Sequence, residues 1–249
     1  MKYLSVKGIV AGVIAVVIAA VCIRLGFWQL DRLESRRARN EEVAAAMAAP
    51  RLPLDSAAVA AIGADPGRFQ YRPVRVTGVW DETGRFLLRA RGRLGAPGVH
   101  LVTPLLLPGV ERALLVDRGW IPSPDAATAD PRSFRQPGTV TISGTIELPP
   151  PPSQEGSLPV VVEVDGLEVP TYRRIDPGAL DTLSSHPVLP FYVSRSAVAE
   201  TDSGPPFGAD PLELDEGPHL GYAFQWFSFA AIAVIGFIVM VVRSRNKVA

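Results

Sequence analysis

Residues 217–229, GPHLGYAFQWFSF, set one histidine, His219, ahead of Tyr222, Gln225 and Trp226 at the mouth of an apolar run that continues to Val242. A neutral imidazole is the commonest protein ligand for a transition metal. On a helix, His219, Tyr222 or Ala223, Trp226, and Phe229 or Ala230 share one face by the three-to-four spacing. An imidazole at the rim of an apolar groove floored by aromatic rings has what is needed to hold the iron of a haem. The macrocycle would then pack on Trp226 and Phe229, and Arg24 or Arg32 could meet its propionates as charge-assisted hydrogen-bond donors. The same residues also have a plainer reading, in which His219 is an interfacial side chain and the aromatics form an ordinary membrane-interface belt. On residues alone both readings stand.

No other stretch offers comparable chemistry. The chain has no G-x-S-x-G elbow, no H-E-x-x-H, no P-loop and no G-x-G-x-x-G. Its single cysteine, Cys22, excludes an intrachain disulfide, a thioredoxin-like role and a dithiolate copper site. His100, His186 and His219 are scattered without ligand spacing. In LLVDRGW (114–120), Asp117 could act as an acid, but a strand-end ion pair with Arg118 and a core role for Trp120 describe it as well. A membrane-tethered hydrolase built on Asp117 or His100 therefore lacks a nucleophile motif, and the expectation is a protein that is not an enzyme. Lys and Arg balance Asp and Glu at 25 each, which gives no support to nucleic-acid binding.

Two uncharged runs must position the aromatic cluster. Residues 220–242 are long enough to span a bilayer, which takes about 20 apolar residues. Residues 8–23 are short for a span. They gain length if Arg24 snorkels and LGFWQL (25–30) continues the helix through the interface. A cleaved signal peptide is the competing reading of this segment, but AAVCI (19–23) makes a poor cleavage site. The expected organisation is a cytoplasmic N-terminus (1–7), transmembrane helix 1 (8–30), an extracytoplasmic domain (31–219), transmembrane helix 2 (220–242) and a cytoplasmic tail (243–249). Orientation rests on Arg243, Arg245 and Lys247 after the second span, against no Lys or Arg in residues 196–242. Both termini are then cytoplasmic in a multi-pass protein of the cell membrane.

Residues 31–48 are helix formers without a breaker, so the first helix should run past the membrane until Pro50 and Pro53 stop it. Arg24, Trp28 and Arg32 share one face of it. Beyond, the pattern turns to period two. Strands are expected at 73–80, 85–90, 98–107, 112–120, 139–148 and 158–164. DETG (81–84) suggests that 73–90 is a hairpin. Gly78 and Gly144, in like places of like strands, suggest a weak duplication or two bulges. PPPPS (149–153) reads as a polyproline connector and 176–187 could hold a short helix. The fold class is two transmembrane helices flanking a β-rich, α+β extracytoplasmic domain of sandwich or barrel type.

Five segments in order carry a resemblance: LGFWQLDRLESR (25–36), YRPVRVTGVW (71–80), GVHLVTPLLL (98–107), LLVDRGWIP (114–122) and HLGYAFQWFSFA (219–230), between two flanking spans. Together they resemble the Surfeit locus protein 1 family, assembly factors of cytochrome c oxidase. The resemblance implies a membrane protein that helps mature the haem-copper catalytic subunit, with the bilayer, that subunit and haem a synthase as partners. It implies transient binding of haem a, with His219 as iron ligand; Tyr222, Trp226, Arg24 and Arg32 are the residues that spacing and chemistry offer around it. A structural scaffold of the oxidase that does not touch haem is the alternative. Two residues depart from the family's pattern: Asp117 stands where Asn is usual, and Pro218 where Asn often precedes the histidine.

Overall fold

Hydropathy and breakers set the two long helices. The computed structural model describes residues 6–151, 158–181, 185–197 and 204–246. Helix α1, Val6–Ala48, runs 43 residues and stops two residues short of Pro50. At about 1.5 Å per residue it is about 65 Å long, roughly twice a hydrocarbon core, so its polar C-terminal half extends beyond any bilayer that the first half crosses. The other long helix, His219–Asn246, has 28 residues. Both are long and apolar enough to cross a membrane. Their outward surfaces carry Val13, Val16, Phe224, Ile232 and Ile235, each more than half exposed, an apolar surface suited to lipid rather than to water.

The chain divides into two units, one formed by residues 1–43 with 213–249, the other by 44–212. In the first, small residues let the two long helices approach. A Cβ at Gly26 would meet the Phe227 ring at 2.6 Å, and one at Gly12 would meet Phe237 at 2.8 Å. Ala19, Cys22 and Ala230 form a buried cluster against which Trp226 packs. Phe27 meets Phe227 edge-on, with ring centroids 5.4 Å apart. Trp28 and Trp226, one residue along on each helix, therefore lie at similar heights.

The second unit is a barrel. Its elements are β1 (Leu52–Pro53), α2 (Ser56–Ala64), β2 (Pro73–Trp80), β3 (Phe86–Arg93), β4 (Ala96–Leu106), β5 (Ala113–Pro122), β6 (Thr139–Glu147), β7 (Val160–Val164), β8 (Leu167–Tyr172), α3 (Pro177–Asp181) and β9 (Val188–Arg195); the C-terminal long helix is α4. Strands β2, β6, β9, β5 and β4 follow one another, and Val79↔Leu106 and Trp80↔Leu105 close the ring between β2 and β4. Closure removes the open edges that a five-stranded sheet would leave. Strands β3, β8 and β7 continue the sheet beyond β4, and β1 lies beside β2. Alternation fills the interior: Val74, Val76, Leu105, Leu114, Val116, Ile146, Phe191 and Val193 are all at most 1% exposed. Helix α2 starts on an Asp55 cap, whose carboxylate accepts from the Ala58 amide at 2.8 Å, and adds Val59 and Ile62 to this core.

Sequence and structure part at three places. Strands β2 and β3 are not a hairpin: β3 pairs with β4 and β8, whereas β2 pairs with β6 along its length. The Asp81 carboxylate accepts from the amides of Thr83 and Gly84, and its own amide donates to Pro104, so the turn hands the chain across β4. Second, β8 and β9 lie outside the expected strands, and β9 is a barrel stave. Third, Gly78 and Gly144 mark close approaches, since a Cβ at either would strike the backbone of a neighbouring strand. Of the proline-rich connector, Pro152 and Ser153 lie outside the described residues.

Candidate functional site

His219 opens α4, where Pro218 accepts the Tyr222 amide in the first turn. Its Nδ1 lies 2.9 Å from Oε1 of Gln29. Gln29 is only 9% exposed and belongs to the packed face of α1, with Cys22, Gly26 and Leu33 at helical spacing. Opposite it, α4 presents Ala223, 1% exposed. Ala223 and Ala230 thus take the packed positions, while Tyr222 and Phe229 lie beside that face, 49% and 43% exposed. Among the described residues Nε2 of His219 makes no hydrogen bond.

The segment before His219 is tied to α1 by three side chains. Arg36 Nε and Asn40 Nδ2 donate to the Asp215 carbonyl at 3.0 and 3.2 Å. Arg37 grips the Glu216 carboxylate with two parallel bonds of 2.9 and 2.8 Å. That fork holds the Glu216 carboxyl below its usual range. The Asp215 carboxylate accepts from the Gly217 amide at 2.9 Å. Gly217 has φ +73, a left-handed conformation that glycine adopts without strain. A Cβ there would lie 3.4 Å from Cδ2 and 3.6 Å from Nε2 of His219, so glycine leaves that edge of the imidazole open.

The other expected residues lie further along the helices. Trp226 sits two turns below His219, about 10 Å along the axis, and meets Phe229 edge-on with centroids 5.9 Å apart. Arg32 holds its guanidinium 5.6 Å over the Trp28 ring, and both Arg24 and Arg32 are exposed. His219 therefore has Gln29 as its hydrogen-bond partner, with Tyr222 one helical turn on in α4. Gln29 was missed as a partner because its neighbour Trp28 marks an interface; the spacing of Cys22, Gly26, Gln29 and Leu33 was the available signal.

Asp117 and Arg118 are not an ion pair. Successive strand residues point to opposite faces, and Asp117 instead meets His100 Nδ1 at 2.7 Å and accepts the Gly119 amide at 3.0 Å. Arg118, 3% exposed, lies 4.8 Å over the Trp80 ring and donates to the Phe134 carbonyl at 2.6 Å. Burial pulls its pKa down to about 10, which leaves it charged at neutral pH. Trp120 stacks on Phe207 at 6.2 Å, and its indole N–H donates to Arg91. Among the described residues, no group of three or more His, Cys, Asp or Glu could hold a metal ion.

A second polar feature lies on the outer face of β6 and β9. The cross-strand pairs Thr145↔Ser194 and Glu147↔Tyr192 share that face. Thr145, Glu147, Ser194, Tyr71, Asp210 and Leu212 are among the residues lining a cleft of about 230 Å³. Burial lifts the Glu147 carboxyl to about 7 and, with the Glu147 and Asp117 charges, raises the Tyr192 phenol. Its only sequence signal was the outward position in TIEL.

Two helices fit to cross a membrane, before and after a closed β-barrel unit in the sequence, with a histidine at the head of the second helix, define a class of membrane-anchored barrel proteins. The model of the SURF1 family matches residues 16–231. The SURF1-like protein of Monosiga brevicollis is 25% identical over 240 residues, covering 92% of this chain and 87% of that protein. Surfeit locus protein 1 of Rattus norvegicus is 25% identical over 232 residues, covering 86% and 70%. The SURF1-like protein of Caenorhabditis elegans is 24% identical over 255 residues, covering 94% and 75%. The chain belongs to the SURF1 family.

Proposed function

We propose that this chain is a membrane-bound assembly factor for a haem-copper terminal oxidase, which holds haem a on its way to the catalytic subunit. The supporting observation is His219. One of its ring nitrogens is committed to Gln29, and the other faces an edge that Gly217 keeps open. That is the donor chemistry a haem iron needs: a neutral imidazole with one available lone pair. Haem a, when bound, supplies the iron centre that the oxidase later uses.

The residues of this chain bind and orient. His219 offers Nε2, while Trp226, Tyr222 and Phe229 offer aromatic surface. Arg24 and Arg32 offer guanidinium groups to carboxylates. The Arg37–Glu216 fork and the Arg36 and Asn40 bonds keep residues 215–217 in place. Binding and release require no catalytic group, which fits the absence of a nucleophile motif. The basic residues after α4 support an orientation with both termini in the cytoplasm and the barrel on the outer side of the cell membrane. The partners are the bilayer, the oxidase catalytic subunit and haem a synthase.

Deleting the gene should lower oxidase activity and the haem a content of the enzyme without abolishing them. Normal oxidase levels with full haem a content in the deletion strain contradict the proposal. Stoichiometric co-purification with the mature oxidase, without haem on the isolated chain, would support a scaffold instead.

A further inference from the structure

We infer that Gln29 is a positioning residue that fixes His219 in its Nδ1–H tautomer and so presents Nε2, unprotonated, as the lone-pair donor for iron; this rests on the haem-holding reading above. An amide oxygen only accepts hydrogen bonds. With Oε1 of Gln29 2.9 Å from Nδ1, a neutral ring makes this hydrogen bond only as the Nδ1–H tautomer, and its other nitrogen is then bare.

The arrangement is built rather than incidental. Gln29 is 9% exposed on the packed face of α1, where Gly26 accommodates the Phe227 ring and Leu33 is buried. A glutamine confined in that seam has few other orientations. On the opposite side of the ring, Gly217 replaces a side chain that would stand 3.6 Å from Nε2. One neighbour thus holds the proton on Nδ1 while another leaves the Nε2 edge clear. Partners of this kind, which orient a ligating histidine through its second nitrogen, typically change metal affinity by about 10–100-fold when removed.

The test uses the full-length protein in detergent, labelled with ¹⁵N-histidine. Long-range ¹H–¹⁵N spectra at pH 8 assign the His219 tautomer directly in wild type, Gln29→Leu and Gln29→Glu, and ferric protoporphyrin IX is titrated into each. Wild type should show Nδ1–H with an unprotonated Nε2. Gln29→Leu should lose that preference and bind the porphyrin at least about 10-fold more weakly. Gln29→Glu keeps an acceptor at the same place and should retain both the tautomer and the affinity, which separates positioning from simple packing damage. An Nε2–H tautomer in wild type, or the same spectrum in wild type and Gln29→Leu, overturns the inference. Equal porphyrin affinity in wild type and His219→Ala, with the Nδ1–H signature intact, overturns instead the haem-holding reading on which it rests.

Discussion

Arg37 and Glu216, 179 residues apart in the chain, form a forked ion pair that fastens the approach to His219 onto the first long helix. Both side chains are about half exposed, so the pair contributes little to global stability and is sensitive to salt. Its role is local. Arg37→Ala should speed hydrogen exchange at the Gly217 amide several-fold, and high salt should do the same to the wild type. Exchange in the middle of α4 should not change. Amide exchange read by mass spectrometry checks this, and unchanged protection at Gly217 would count against the clamp.

Gly217→Ala tests the open edge of the imidazole. The substitution forces a left-handed backbone on a residue with a Cβ, at about 1 kcal/mol, and sets that Cβ against Cδ2 and Nε2 of His219. Haem occupancy of the purified protein should fall several-fold while the Nδ1 contact with Gln29 persists. Occupancy equal to wild type would show that the glycine serves the turn alone.

Asparagine at position 117, the residue the resemblance implies there, tests the barrel contact. In Asp117→Asn the side-chain oxygen can still accept the Gly119 amide, and the NH2 group can donate to a neutral His100. The change should alter stability by no more than about 1 kcal/mol and leave oxidase assembly intact. Asp117→Ala strips both bonds and should cost about 1–3 kcal/mol. Thermal unfolding, with oxidase activity alongside, distinguishes the two. Loss of assembly in Asp117→Asn at unchanged stability would revive a chemical role for this carboxylate.

Glu147 makes stability depend on pH in an unusual direction. Its folded pKa is raised to about 7 by burial, above the value near 4.5 expected of the unfolded chain. Between those values the folded state binds the extra proton, so this group's contribution declines as pH rises through that window. Glu147→Gln should flatten the decline and stabilise the protein at pH 8 by about 1 kcal/mol, the open side of the cleft screening the rest. Unfolding curves at pH 5 and pH 8 read the difference. Equal slopes in variant and wild type would place this carboxylate in water.

Most of the barrel was legible from apolar runs of strand length and from alternation. Strands β4 and β5 are buried almost continuously and read as unbroken apolar runs, while β2 alternates along its whole length and β6 along part of it. Strand β9 alternates as cleanly, with Leu189, Phe191 and Val193 inward, yet Pro190 argues against a central strand. The structure resolves the conflict. Pro190 sits where the register with β5 shifts between Ala113 and Leu115, ahead of the β6 pairing that starts at Tyr192, so no ladder N–H is missed. Pro170 hid β8 in the same way. At the candidate site the histidine and the aromatics were visible as residue types, but pairing was not. Gln29 meets His219 across 190 residues of sequence, and Asp117 meets His100 on the neighbouring strand. Contacts between elements follow from how strands and helices pack, which no local pattern contains.

In the proposed function, His219 holds haem. The most direct test is the optical spectrum and pyridine haemochrome of the protein purified in detergent after co-expression with a haem a synthesis system, beside its His219→Ala variant. The wild type should carry haem a and the variant little. Equal haem in both, or none in either, would contradict that role.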